Sequence, residues 1–391
     1  MSRAIRILEL RSVRGTGGGP EKTILLGAAR SDAARFAVTV CYLRDERDDV
    51  FGIDVAAGKL PIDYVEVREK HSFDPGIWGQ LRRVVRERQI DIVHAHDYKA
   101  NLLAWLLARV EPVTPMSTVH GYTGNTARER WLYYPADKRV LSWLPALVAV
   151  SSEIRNELIH HGAKPDRVVT ILNGIDHCRF RREPERSAEI RRQLGLAPDE
   201  VVIASVGRLE PQKRFDLLID AFAELRRDRP QLTLLIVGDG TLHQPLQDQI
   251  ARLGLEGACR LLGHRTDIGD LHHAMDLFIQ SSDYEGTPNA VLEAMALETP
   301  VVATNVGGTA ELTRHGIDGL IVPPGSAPVL ADAIRTALDD AEGSRSRADS
   351  ARRRVETVLS FDARMDTLES IYTNLFERRQ PARSAHVVAR P

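Results

Sequence analysis

The sequence predicts an α/β protein built from two Rossmann-like, doubly wound domains, and three observations carry that reading. Short apolar strands alternate with amphipathic helices along almost all of the 391 residues. The rhythm breaks once, in the charged stretch 181–199, and then restarts with a fresh strand. A hydrophobic share of 43% is enough to fill two ordinary cores, whereas a single core of this size would be unusual.

In order, the first half gives strands at IRILEL (5–10), FAVTVCYL (36–43), IDIVHAH (90–96), MSTVHG (116–121), ALVAVS (146–151) and VVTILNGID (168–176), with a helix from about Glu21. The second half opens with VVIASVGR (201–208) and continues through TLLIVG, CRLLG, DLFIQ, PVVATN and GLIVPP. Each of these is followed by a glycine, polar or proline turn and then a helical segment. The expected boundaries are a first domain at 1–180, a second at 181–360, a last helix at 361–378 and a disordered tail at 379–391, where little is available to pack.

Composition excludes several classes. Lys plus Arg number 52 and Asp plus Glu 54, which gives no global reason to expect a nucleic-acid partner. The balance is uneven, +4 over residues 1–180 and −6 over the rest, so the first half suits an anionic surface better than the second. Cys41, Cys178 and Cys259 are scattered and form no C-x-x-C pair, which indicates neither a disulfide framework nor a zinc site and fits the cytoplasm. No apolar run approaches the ~18–20 residues of a membrane span, so the expected location is cytoplasmic, at most peripheral on the membrane face.

In open parallel sheets, ligands bind beyond the carboxyl ends of the strands, so the residues just after each strand are the candidates. After the first strand comes R-G-T-G-G-G-P-E-K, where Gly17 and Gly18 permit close backbone approach or simply a turn. Pro20 breaks a dinucleotide fingerprint, and no acidic residue cleanly ends the second strand. His120 closes MSTVH before Gly121, a position where an imidazole enters a cleft or serves as a satisfied structural histidine. Asn173, with Gly174 and Asp176, follows the last strand of the first half and is either a ligand-facing group or a turn into the linker.

In the second half, G-R-L-E-P-Q-K-R places Arg208 and Lys213 on a strand-end loop, where two cations can hold a diphosphate or merely decorate a solvated surface. The string S-S-D-Y-E-G-T-P-N-A-V-L-E-A-M-A puts Glu285 in a loop and Glu293 about two turns into a helix expected to start at Pro288. The amides of Thr287, Asn289 and Ala290 would then favour a pyrophosphate.

Taken together, G-G-G-P-E near the start, H-G at 120, V-S-S at 150, N-G-I-D at 173, G-R-L-E-P-Q-K, V-G-D-G at 237, E-G-T-P-N-A-V-L-E and G-G-T-A-E-L at 307 resemble the retaining glycosyltransferases of family 4, over roughly residues 5–376. The resemblance implies the GT-B architecture: an N-terminal acceptor-binding domain, a C-terminal nucleotide-sugar donor domain facing it across a cleft, and a last helix, FDARMDTLESIYTNLF, that crosses back to the N-terminal domain. It implies transfer of a hexosyl group from a nucleotide-diphosphate sugar to a sugar or lipid-linked acceptor in exopolysaccharide, lipopolysaccharide or other glycoconjugate biosynthesis. Arg208 and Lys213 become the diphosphate clamp, Glu293 the ribose ligand, Glu285 the carboxylate on the donor sugar, and His120 the group beside the reacting carbon. Gly17 and Gly18 line the phosphate and acceptor side, while Asn173, Gly238, Gly286, Thr287, Pro288 and Asn289 complete the donor-binding set. Two departures stand out, Arg214 where many relatives have Gly and Gln280 where Pro is frequent.

No D-x-D occurs in the chain, so neither metal nor cofactor is expected, and the leaving diphosphate falls to cations and helix amides. The competing readings are a GT-B sugar-nucleotide epimerase or hydrolase, and a nicotinamide-dependent dehydrogenase, which would require more regular glycine spacing. The segment D-P-G-I-W-G-Q-L-R-R-V-V-R-E-R (74–88) is either an interfacial membrane helix or a core helix with a basic outer face. The segment 128–139 adds aromatic and basic residues.

Overall fold

The computed structural model describes residues 3–71, 74–121 and 129–384, and the chain divides into two compact units. The first comprises residues up to Ile171 together with those from Arg364 onward, and the second runs from Leu172 to Ala363.

The first unit is a parallel sheet of seven strands: β1 (Ile5–Ser12), β2 (Phe36–Asp45), β3 (Asp63–Glu69), β4 (Ile92–Ala95), β5 (Thr114–Val119), β6 (Leu147–Ala149) and β7 (Val168–Thr170). Their spatial order, β3-β2-β1-β4-β5-β6-β7, reverses direction between β1 and β4. Helices cover both faces. Leu8, Leu10, Cys41, Leu43 and Val93 pack against helices Gly76–Glu87 and Tyr98–Val110. Val40 and Tyr42 pack on the other face with Ile24 and Leu25 of helix Gly19–Arg30. Burial on both faces explains why these strands read as continuous apolar runs.

The second unit has six parallel strands, β8 (Val201–Val206), β9 (Leu232–Val237), β10 (Cys259–Leu261), β11 (Leu277–Gln280), β12 (Val301–Thr304) and β13 (Leu320–Val322). Their order is β10-β9-β8-β11-β12-β13, with the reversal between β8 and β11. Side chains alternate between two cores as the pleat requires: Ile203, Leu234, Leu277 and Ile279 enter one, Val202, Ala204, Leu235 and Phe278 the other.

Several expectations change. Strand β3 (DYVEVRE) was not foreseen, because its charged alternate residues mask the apolar face. The charged stretch 181–199 is part of the second unit and carries the helix Arg186–Gln193, with Ile190 buried, and the units divide earlier, at Leu172. The last helix runs from Phe361 to Ser384, past the expected end at 378, and only residues 385–391 of the expected tail lie outside the described residues. The helix Gly76–Glu87 is a core helix. Ile77, Leu81, Val84 and Val85 are buried, and Arg82 and Arg86 both bind Glu111 on its outer side, so the interfacial reading fails there. Among the described residues no helix is long and apolar enough to cross a membrane.

Candidate functional site

In the second unit the chain leaves β8 and β11 on opposite sides of the reversal, which opens a crevice at their carboxyl ends. The loop after β8 is held against the loop after β9. Gly207 N donates to Val237 O at 2.9 Å and Leu209 N to Asp239 O at 3.0 Å. A Cβ on Gly238 would lie 1.9 Å from Gly207 O, and its φ is +142°, so only glycine permits this approach. Gly238 therefore shapes the loop through its backbone.

That loop delivers Arg208, whose exposed side chain has no hydrogen-bond or ion-pair partner among the described residues, and Lys213. Lys213 Nζ reaches Glu285 Oε1 at 2.6 Å, and the Ser282 hydroxyl donates to the same oxygen at 2.6 Å. The expected clamp cation and the expected sugar carboxylate are thus directly paired. The pair is fixed by backbone as well. Asp283 N donates to Gln212 O, Gln212 Nε2 to Tyr284 O, and the Ser281 hydroxyl to Lys213 O, over 2.7–2.9 Å. Arg214 adopts a left-handed conformation, φ 49°, which is what a Gly there would adopt freely. Its guanidinium offsets the strain through ion pairs to Asp216 and Asp283.

The helix after β11 begins at Asn289, not Pro288, which sits just before it in extended conformation with ψ 108°. Its Pro ring cannot donate, and the amides of Asn289 and Ala290 open the helix with no side-chain cap. Glu293, only about one turn in, is buried at 9% exposure. Two contacts clamp the turn before the helix. Gly308 N donates to Gly286 O at 2.7 Å, and a Cβ on Gly307 would lie 1.8 Å from Glu285 O. Asn173 Nδ2 donates to Asn289 Oδ1 at 3.0 Å and to Thr287 O at 3.3 Å, so Asn173 fixes the approach to this helix instead of turning into a linker. At the end of β11, Gln280 is buried at 5% exposure with both side-chain polar atoms unpartnered among the described residues.

The first unit has its own crevice at the β1/β4 reversal. Asp97 ties the two strand ends together, accepting from Ser12 N at 2.6 Å while capping helix Tyr98–Val110 through Lys99 N and Ala100 N. Gly17, φ +73°, packs on Glu21 and Ile53, and Gly18 N donates to Glu21 Oε2 at 2.6 Å. Arg11 binds the other oxygen of Glu21 and also donates to His96 O at 2.8 Å. An acidic residue does end β2. It is Asp45, but Arg47 and Arg14 occupy it, so no ribose carboxylate is presented there.

His120 is half-buried, stacked on His96 with ring centroids 5.4 Å apart, and its Nε2 lies 3.1 Å from His96 Nδ1. Burial, then Arg11, His96 and Arg364, push its pKa well below the ordinary histidine value. Burial, then His94, pushes His96 down to about 3. Behind His96 lies Glu9, 2.5 Å from His96 Nε2. The sequence reading missed Glu9, His94, His96 and Tyr372. The signal was H-A-H at 94–96, two histidines two positions apart at the carboxyl end of β4. Glu9, His94 and His96 place three potential metal-ligand atoms within 4.8 Å of one another, the one such group found among the described residues. Both nitrogens of both rings are already engaged by Tyr372, Thr118, Glu9 and His120, so the chemistry of the set is that of a hydrogen-bond chain. Part of the 128–139 segment falls outside the described residues: Arg128, and the side chains at 129 and 130.

The family model Glycosyltransferase Family 4 matches residues 17–179, and that of Glycosyl transferases group 1 matches 186–354. The chain is 33% identical over 338 residues to a D-inositol 3-phosphate glycosyltransferase of Kineococcus radiotolerans, covering 78% of this chain and 77% of that one. It is 30% identical over 343 residues to a glycogen synthase of Mycobacterium tuberculosis, covering 85% and 79%. Among solved structures, HepE of Anabaena in complex with UDP and glucose superposes with a TM-score of 0.81 at 25% identity, over 94% of this chain and 99% of that one. The paired parallel-sheet units, the strand-end motifs and these relatives lead to one conclusion: the chain belongs to glycosyltransferase family 4 and is a glycosyltransferase of the GT-B fold.

Proposed function

We propose that the enzyme moves a hexosyl group from a nucleotide-diphosphate sugar to a sugar or lipid-linked acceptor, with retention of configuration and without a metal ion or other cofactor. The observation that carries this reading is the Lys213–Glu285 pair at the strand reversal of the second unit, beside Arg208 and the open amides of Asn289 and Ala290. Cations and helix amides stabilise the charge that develops on a departing diphosphate, and carboxylates recognise hydroxyls. Glu285 already accepts from Lys213 and Ser282 on one oxygen, which suits a group that grips and polarises the donor sugar better than a nucleophile. Glu293 takes the ribose. Gly238, Gly286, Thr287, Pro288 and Asn173 shape the donor pocket through backbone and loop contacts, while Gly17, Gly18 and His120 serve the acceptor and reacting-carbon side. The UDP and glucose bound to HepE support a nucleotide-sugar donor.

The test is to offer UDP-, GDP-, ADP- and dTDP-sugars, rank them by the rise in melting temperature, and then assay transfer in EDTA with anomeric NMR of the product. Metal-independent transfer with retention is expected. Inverted product, loss of turnover that Mg²⁺ restores, or donor breakdown equal with and without acceptor would overturn the reading.

We also propose peripheral contact with an anionic membrane surface through helix Tyr98–Val110 and the helix Tyr134–Leu141 with its flanking residues. Leu102, Leu106, Trp131, Leu132 and Trp143 are exposed there, with Arg109 over Trp105 and Arg139 over Trp143. Co-sedimentation with phosphatidylglycerol vesicles should fall sharply in Trp131→Ser/Leu132→Ser, and unchanged binding would refute the assignment.

A further inference from the structure

The buried groups beneath His120 form a chain whose hydrogen-bond directions can be assigned from one end. Glu9 is a strand residue with its side chain enclosed, and as a carboxylate it can only accept. Tyr372 OH lies 2.7 Å from Glu9 Oε1 and therefore donates to it. The phenolic oxygen, 2.7 Å from His94 Nδ1, must then accept from that nitrogen, which leaves His94 Nε2 to accept from the Thr118 hydroxyl at 2.7 Å. The other Glu9 oxygen accepts from His96 Nε2. A neutral His96 protonated at Nε2 has a lone pair at Nδ1, and its partner among the described residues is His120 Nε2, which must donate.

We propose that Glu9 and His96 are positioning residues that hold His120 as a neutral imidazole protonated at Nε2, so that its Nδ1 lone pair accepts a hydrogen bond from a sugar hydroxyl of donor or acceptor. The proposal rests on the glycosyltransferase reading only for the identity of that hydroxyl. The charges around the chain agree with it. Burial works against the Glu9 carboxylate, but the His94 and His96 imidazoles offset it and hold its pKa well below the usual range. Arg11 and Arg364, the cations facing His120, oppose a second proton on that ring, while Glu9 reaches His120 only through His96. No described residue pairs with His120 Nδ1. His120 is thereby fitted to hold a hydroxyl by accepting its proton, and unfitted to act as a cation on the diphosphate.

The test reads the tautomer directly. Two-bond ¹H–¹⁵N correlation spectra of the ¹⁵N-histidine-labelled, ligand-free enzyme at neutral pH, with the His120 signals identified by their loss in His120→Asn, should show a proton on Nε2 and none on Nδ1. The opposite tautomer or a doubly protonated ring overturns the proposal. In Glu9→Gln the amide can donate to His96 Nε2, which turns His96 into a donor toward His120. The His120 proton should then move to Nδ1, and kcat should fall about tenfold or more. An unmoved proton, or full kcat with the proton moved, contradicts the positioning role. If Glu9→Gln does not fold, the wild-type spectrum still decides. The tautomer is read without substrate, so its failure leaves the transferase reading standing, and absence of transfer by the wild type sinks that reading alone.

Discussion

At the scale of single residues, the direct contact between Lys213 and Glu285 gives the two glutamates of the second unit different neighbours and so different tasks. Glu285 sits in a loop with a cation and a hydroxyl on one oxygen, whereas Glu293 is built into the helix and nearly enclosed. Glu293→Ala should weaken binding of both the bare nucleoside diphosphate and the intact donor. Glu285→Ala should weaken only the intact donor. Each hydrogen bond to a charged group is worth roughly 1.5–3 kcal/mol, about ten- to a hundredfold in affinity, which calorimetry with both ligands resolves. Equal losses on the bare diphosphate would merge the two roles. Transfer should collapse in both variants.

At the scale of elements, the site depends on loops pressed together where a side chain would not fit. Gly307, φ +51°, approaches the carbonyl of Glu285 so closely that a methyl group would stand 1.8 Å from it. Gly307→Ala must push the 285–287 turn away. Donor affinity should drop about tenfold or more, with a stability loss of roughly 1–3 kcal/mol by chemical denaturation. Retained donor affinity would show that the turn relaxes without moving Glu285. Much of this architecture was legible beforehand, because strand ends in a parallel sheet announce themselves as apolar runs stopped by glycine or polar residues, and that put Arg208, Lys213, Glu285 and His120 on strand-end loops. Three kinds of feature were not. Strand β3 hides its apolar residues among charges. The start of the 289–296 helix depends on whether Pro288 is helical, which its residue type alone does not settle. Glu9 lies inside an ordinary-looking strand, and its partners at 94, 96 and 372 meet it only through the fold. The amphipathic 76–87 helix was ambiguous for a further reason: a basic outer face looks the same whether lipid or a glutamate such as Glu111 receives it.

At the scale of the whole molecule, acid should act on stability through buried neutral histidines. Burial, then Arg182 and His273, push the pKa of His272 in the second unit down to about 3, against about 6.5 when unfolded. The folded state therefore refuses a proton that the unfolded chain accepts, so this contribution is complete above pH 6.5 and is lost as the pH falls toward 3, by about 1.4 kcal/mol per pH unit. His272→Asn should remove that slope. Urea denaturation at pH 7, 6 and 5 should show the wild type losing its advantage over the variant as the pH drops, and parallel losses would exclude His272 as the cause. A different consequence follows from the final helix, which begins among the contacts of the second unit and from Arg364 onward belongs to the first. Tyr372 closes on Glu9 from 363 positions away. As the chain emerges from a ribosome, the first unit is made first yet cannot finish its interior until the second has been synthesised in full. The second is contiguous, from 172 to 363. The half carrying His120 is thus begun first and completed last, when the final helix brings Tyr372 to Glu9.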